Sequence, residues 1–223
     1  MALSPVQMAD LKGAIQSYNY SCDYYDFVLN APQTASSMKH LEGIVYAQLT
    51  SNTPQDVANG LGNVIYWGNA SAGYVMARFN TFQGRIGAHQ PYDGFMALAA
   101  AGVPSLRQIK ALGYPAYSGI SFISKVLMFL DPKTYCVLDR QITKLRRQGR
   151  SVPRALDNLV LYRTTIPATQ KNERAYDAWR QECIHISTTY YAGQYGAAEV
   201  ERGFFKLIRD GYLAKAQDIY TDF

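Results

Sequence analysis

LGYPAYSGISFISKVLMFLDPKTYCVLDRQ, residues 112–141, is the stretch on which the fold turns. It reads as helix end, tight turn, helix, short loop and carboxylate. Upstream, Pro104 opens a short amphipathic run over 104–112, with Leu106, Ile109 and Leu112 on one face. Gly113, Pro115 and Gly119 then punctuate a turn only long enough for a helical hairpin. Ser118 is placed to cap the next helix, 119–130, which turns Ile120, Ile123, Val126, Leu127 and Leu130 inward. Asp131-Pro132 stops that helix, because proline disfavours helical geometry in the residue before it. An apolar approach, Tyr135-Cys136-Val137-Leu138, ends in Asp139.

A turn of this kind, followed by a helix N-terminus, presents backbone N–H groups that can grip a nucleic-acid phosphate without reading sequence. An acid delivered by an apolar run into a partly dry pocket can stabilise positive charge on a sugar ring. The plainer reading is a helical hairpin in an all-α core, with Asp139 capping a helix over 140–148.

The segment resembles the helix-hairpin-helix (HhH-GPD) DNA glycosylase superfamily, the group of endonuclease III, the adenine glycosylases and the oxoguanine glycosylases. That family's hairpin runs Leu-Pro-Gly-hydrophobic-Gly, and its catalytic aspartate follows in a Val-Asp-x-His context. Here Tyr114-Pro115-Ala116-Tyr117-Ser118-Gly119-Ile120 falls on the hairpin and Val137-Leu138-Asp139-Arg140-Gln141 on the aspartate loop. Ala116 and Ser118 stand where the family usually has glycines. Ile120 stands at the position of the Schiff-base lysine of the bifunctional members. The nearest lysine, Lys125, lies about 140° further round the helix axis. The resemblance therefore implies a monofunctional enzyme in which water is the nucleophile and Asp139 the key carboxylate. A one-turn shift of the alignment would bring Lys125 into play as a lyase nucleophile.

A second stretch carries the same resemblance. LTSNTPQDVANGLGNVIY, residues 49–66, is similar to the family's Leu-Ser-x-(Gln/Asn) helix–loop–helix. The family's amide, at the position of Asn52, enters the gap left by a flipped-out base. An enzyme that works on a base must extrude it, and a short amide can fill the hole and hydrogen-bond the widowed partner. Without the resemblance, Asn52 reads equally well as a residue of a helix-to-helix turn.

The 223 residues are 48% hydrophobic and 17% charged, which supports a proper core and excludes disorder. The net charge of +5 suits a polyanionic partner, and Lys144, Arg146, Arg147, Arg150 and Arg154 follow directly after Asp139. Cys22, Cys136 and Cys183 are odd in number and have no metal spacing, so a reducing, cytoplasmic setting is expected, with no metal and no cofactor. They also leave no room for the iron–sulfur loop of the endonuclease III relatives. No apolar run reaches membrane-spanning length, and the N-terminus lacks the apolar core of a signal peptide.

In chain order, the residue patterns predict helices over 4–18 (Ser4 cap, Pro5 at the first position), 38–50, 54–67 (Thr53 cap), 92–102, 139–149, 154–163, 171–190 and 196–209. The run 62–82 reads as helix, glycine-broken bend and helix, and 83–89 as a glycine-rich loop with a structural His89. Tyr18, Tyr20, Tyr24 and Tyr25 read as core rather than base pocket, and 31–38 as a polar loop. Tyr66 and Trp67 are candidates either for the core or for a base pocket.

The expectation is an all-α, two-lobed HhH-GPD fold with a cleft between lobes. One lobe spans 35–145; the other joins 1–34 to 146–223. The chain resembles most closely the bacterial proteins of oxoguanine-glycosylase fold. The resemblance implies a monomer that binds double-stranded DNA, flips a nucleotide and hydrolyses its N-glycosidic bond, with oxidised guanine the default base. Asp139 is the catalytic candidate. Asn52, Pro115, Ala116, Tyr117, Ser118, Gly119, Arg140, Gln141, Lys144, Arg146 and Arg147 are the DNA-binding candidates. Three alternatives stand beside it: excision of a bulky modified base such as occurs in phage DNA, a lyase acting through Lys125, and a DNA-binding module without activity.

Overall fold

The computed structural model describes residues 2–70, 73, 76–89, 92–163 and 165–223. Among them are helices α1 (Pro5–Gln16), α2 (Met38–Leu49), α3 (Pro54–Gly68), α4 (Met76–His89), α5 (Tyr92–Ala100), α6 (Leu106–Ala111), α7 (Ile120–Leu130), α8 (Gln170–Tyr191), α9 (Ala197–Arg209) and α10 (Leu213–Asp222). The chain is mostly helical, as expected. It adds one antiparallel hairpin, β1 (Asp23–Asp26) with β2 (Ala31–Thr34), where a tyrosine cluster and a polar loop were expected.

The chain divides into two compact units, Met1–Asn19 with Asp131–Phe223, and Tyr20–Leu130. The boundaries differ from those expected at 34/35 and 145/146, so Asp139 belongs with the terminal helices. The physical reason lies just after α7. The Asp131 side chain accepts the Lys133 and Thr134 amides and turns the chain. The first amides of α9 then bind that turn, Ala197 to the Lys133 carbonyl at 2.9 Å and Ala198 to the Pro132 carbonyl at 3.1 Å. A Cβ on Gly196 would sit 2.8 Å from the Pro132 oxygen, so only glycine allows this docking.

In the first unit, Ser4 and Gln7 form a reciprocal cap on α1, as the Ser-Pro signal suggests. Leu11 and Ile15 of α1 pack on α9 at Gly203, where a Cβ would lie 2.6 Å from Ile15. Val200, Phe204, Leu207 and Ile208 of α9 are buried as expected, and Trp179 of α8 meets Phe204 and Tyr220 edge-on or tilted. Tyr220 belongs to α10, a helix not read from the sequence. Two expected helices are absent. Residues 139–149 contain only a 3-10 helix, Ile142–Leu145, and residues 154–163 only another, Ala155–Asn158.

In the second unit, α2 and α3 meet closely at Gly60, where a Cβ would stand 3.0 Å from Gln48 Cβ and the Leu49 nitrogen. Leu41, Val45 and Leu49 of α2, and Val57, Leu61 and Val64 of α3, are fully buried. The β-hairpin is tied to these helices by Asn63, which is 0% exposed. Its Oδ1 accepts the Tyr25 amide at 2.7 Å, while Nδ2 donates to the Tyr25 carbonyl at 3.2 Å and to Gln48 at 3.0 Å. The expected glycine-rich loop 83–89 is instead the end of α4, since Gly84 and Gly87 are tolerated within a helix. The side chain of His89, and residues 71, 72, 74 and 75 of the expected bend, lie outside the described residues.

Candidate functional site

The hairpin before α7 is a strained turn on buried anchors. The Tyr117 amide donates to the Tyr114 carbonyl at 3.2 Å, with Pro115 and Ala116 at the two central positions. Ala116 has φ +71°, the left-handed value a type II turn demands at its third residue. Glycine takes that value freely; alanine costs about 1–2 kcal/mol there. The flanking tyrosines hold the turn. Tyr117 donates to the Leu61 carbonyl at 2.6 Å, and Tyr114 stacks on Tyr92 with ring centroids 5.6 Å apart. Burial pushes the Tyr114 phenol up to about 12. Between these anchors Pro115 and Ala116 are half-buried; just after them Ser118 is exposed and Gly119 half-buried.

Asn52 lies in the α2–α3 turn, exposed, and its side chain makes no hydrogen bond among the described residues. Its neighbours are fastened. Thr53 was expected to cap α3 directly, but it makes no such cap. Its hydroxyl instead donates to Asp56, as does that of Ser51 at 2.8 Å. These two hydroxyls hold the Asp56 carboxyl below the usual carboxylate range.

Tyr66 and Trp67, the base-pocket candidates, resolve as core. Trp67 donates to the Ser21 carbonyl at 2.9 Å and meets Tyr20 and Phe129 edge-on; Tyr66 packs on Tyr25 and Phe79. Lys125 is buried as well. Its ammonium donates to the Ser121 carbonyl at 3.1 Å, and a Cβ on Gly68 would lie 3.1 Å from its Cδ. The lysine stem therefore fills the contact between α3 and α7.

In the first unit, the apolar approach to Asp139 is held from α8. Tyr176 donates to the Cys136 carbonyl at 2.8 Å and the Trp179 indole to the Val137 carbonyl at 3.2 Å. Asp139 is half-buried, and its Oδ1 accepts the amides of Gln141 at 2.8 Å and Ile142 at 3.2 Å. The carboxylate thus caps the 3-10 helix and is oriented by it. Arg140 is exposed, while Gln141 buries its Oε1 without a hydrogen-bond partner among the described residues.

The basic cluster after Asp139 splits in two. Arg150 and Arg154 turn inward. The Arg150 guanidinium binds both oxygens of Asp157, the Leu145 carbonyl at 2.6 Å and Thr221 at 3.0 Å, over the Tyr220 ring. Arg154 binds the carbonyls of Thr221 and Phe223 and stacks on the Phe223 ring. Lys144 and Arg147 are exposed and Arg146 half-buried. Arg147 pairs with Asp218 at 3.0 Å, both side chains about half exposed.

Segment 146–150, with Pro153, Asp157 and Asn158, surrounds a recess of about 540 Å³. Of these, only the arginines were singled out from sequence; Gly149, with φ +78°, marks the turn that shapes the recess. Burial pushes the Asp157 carboxyl up, but the Arg147 and Arg154 amides and the Arg150 guanidinium outweigh it, leaving it below its ordinary value. Among the described residues, no group of three or more His, Cys, Asp or Glu side chains could hold a metal ion. No helix among them is long and apolar enough to cross a membrane.

Comparison with protein-family models, with curated proteins and with solved structures gave no match to this chain.

Proposed function

We propose that the chain is a monofunctional DNA glycosylase of helix-hairpin-helix type, acting on double-stranded DNA. The observation that carries the reading is Ala116 at φ +71°. The chain accepts a left-handed alanine to keep the turn shape that glycine usually supplies in the family its sequence resembles. Strain of this kind is retained where a backbone geometry is in use. In this reading the backbone around Ala116 to Gly119 holds a phosphate, and exposed Asn52 fills the stack vacated by the flipped base. Asp139 stabilises the oxocarbenium-like sugar and helps to activate water. Arg140, Gln141, Lys144, Arg146 and Arg147 contribute positive and polar surface along the backbone. Oxidised guanine is the default base, and a bulky modified base is the alternative.

Asp139→Asn tests this directly. Asparagine keeps an oxygen to accept the Gln141 and Ile142 amides, so the loop survives while the charge is lost. Duplexes carrying oxidised guanine, and genomic DNAs of differing modification, are incubated with each protein and released bases read by mass spectrometry. The expected result is base release by the parent chain, none by Asp139→Asn, and equal duplex binding by both. Release undiminished in the variant removes the assignment. Borohydride trapping is expected to give no covalent adduct, because Lys125 is engaged inside the second unit. An adduct lost in Lys125→Met would transfer the reading to lyase chemistry.

A further inference from the structure

We infer that the 146–158 recess of the first unit is a binding site for a nucleoside phosphate, free or carried in a DNA strand. The inference goes beyond the glycosylase reading and holds whether or not Asp139 cleaves anything.

The recess selects for anions by its hydrogen-bond inventory. Asp157 is the one carboxylate on its wall, and both of its oxygens are saturated. Oδ1 accepts the Arg147 amide at 3.0 Å and Arg150 at 2.7 Å; Oδ2 accepts Arg150 at 2.9 Å and the Arg154 amide at 3.0 Å. A carboxylate has about four acceptor sites, so none is left to attract a cation or a donor. The lining that remains offers donors. The Arg146 guanidinium has no partner among the described residues. Arg147 is held only by an exposed pair with Asp218, a contact that a competing anion readily displaces. Gln148 adds amide N–H groups, and the exposed Asn158, whose Nδ2 also donates to the Arg154 carbonyl at 3.4 Å, has a second N–H to offer. Planar guanidinium groups match phosphate oxygens two at a time.

Two further features argue for a nucleotide. The volume of about 540 Å³ lies within the range of small-molecule sites and far exceeds a lone phosphate. The floor is also preorganised. Arg150 is locked by Asp157, Leu145 and Thr221, so the segment carrying Arg146 and Arg147 is fixed before any ligand arrives.

The test uses the full chain and calorimetric titration at low salt. The probes are thymidine 5′-monophosphate, thymidine, inorganic phosphate and a short single-stranded oligonucleotide. The monophosphate is expected to bind, thymidine not to bind, and inorganic phosphate to bind at least tenfold more weakly. Arg146→Gln should weaken the monophosphate about tenfold, and Asn158→Asp, which places a negative charge in the recess, by as much or more. Arg174→Gln, an equal change of net charge on the exposed face of α8, should leave it unaltered. Circular dichroism of each variant checks the fold. Competition by the oligonucleotide identifies a strand as the source; its failure to compete identifies a free nucleotide. Equal affinity for phosphate and monophosphate, no binding, or indifference to both Arg146→Gln and Asn158→Asp overturns the inference. Repeating the titration on Asp139→Asn separates the two readings, since recess binding must persist there even if no base is ever released.

Discussion

Arg150 and Asp157 share two hydrogen bonds, of 2.7 and 2.9 Å, with the arginine side chain only 2% exposed. The pair closes the loop between the two 3-10 helices and, through Thr221, joins it to α10. It also explains why the basic run after Asp139 is not the uniform cationic face its composition suggests.

Removing one partner leaves the other charged, buried and unpaired. Asp157→Ala is therefore expected to destabilise the protein by about 3 kcal/mol, as is usual when a buried pair is broken from one side. Urea unfolding monitored by circular dichroism measures this. The double variant Arg150→Met with Asp157→Leu should recover part of the loss.

Two acids beside this loop titrate in opposite directions. The Asp157 carboxyl lies below its ordinary value, so its contribution is complete at neutral pH and is lost as pH falls below about 4. Burial raises the Glu182 carboxyl, against the pull of the Tyr220 hydroxyl at 2.5 Å and the Ala155 amide. Its contribution is complete below about pH 4 and is lost as pH rises through the raised value. Thermal midpoints across pH 3 to 7 should therefore fall less steeply at the acid end in Asp157→Asn. They should fall less from pH 5 to 7 in Glu182→Gln.

Asn63 is expected to be a keystone of the second unit. Asn63→Ala orphans the Tyr25 amide and carbonyl together with Gln48 Oε1, a loss of at least about 2 kcal/mol. Hydrogen exchange should show the amides of residues 23–34 opening first, with α2 and α3 following only near global unfolding.

Ala116→Gly should raise stability by about 1 kcal/mol by releasing the left-handed strain. Ala116→Val should lower it by more than that, since a β-branched residue tolerates φ +71° least. If the hairpin grips a phosphate, Ala116→Gly should leave duplex affinity unchanged and Ala116→Val should weaken it; fluorescence anisotropy with a labelled duplex reads both.

Local signals were legible where the chemistry is local. Ser4-Pro5 marks a real cap, and the inward stripe of α7 is buried at each residue named for it. The turn at 114–117 could be placed from Gly113, Pro115 and Gly119, although its left-handed residue is an alanine. The misreadings came from distant partners. β1 and β2 contain Pro32 and little alternation, and their pairing is fastened by Asn63, which is far along the chain. The helix expected over 139–149 has suitable residues, but Asp139 caps a single 3-10 turn. Arg150 is then drawn to Asp157 and to a helix, α10, that was not foreseen. Asn52 and Asp139 were found by resemblance to a motif. The saturated carboxylate of Asp157 could be seen only once its three donors, the Arg147 and Arg154 amides and the Arg150 guanidinium, had been located.

Gly203 sets a timetable as well as a contact. Leu11 and Ile15 leave the ribosome well before α9, which carries the surface that receives them. The unit of residues 20–130 holds all its own strands and helices and can mature during synthesis, as autonomous segments generally do. Helix α1 must wait, its apolar face uncovered, until α9 has been made. During that interval its apolar face is open to chaperones and to aggregation.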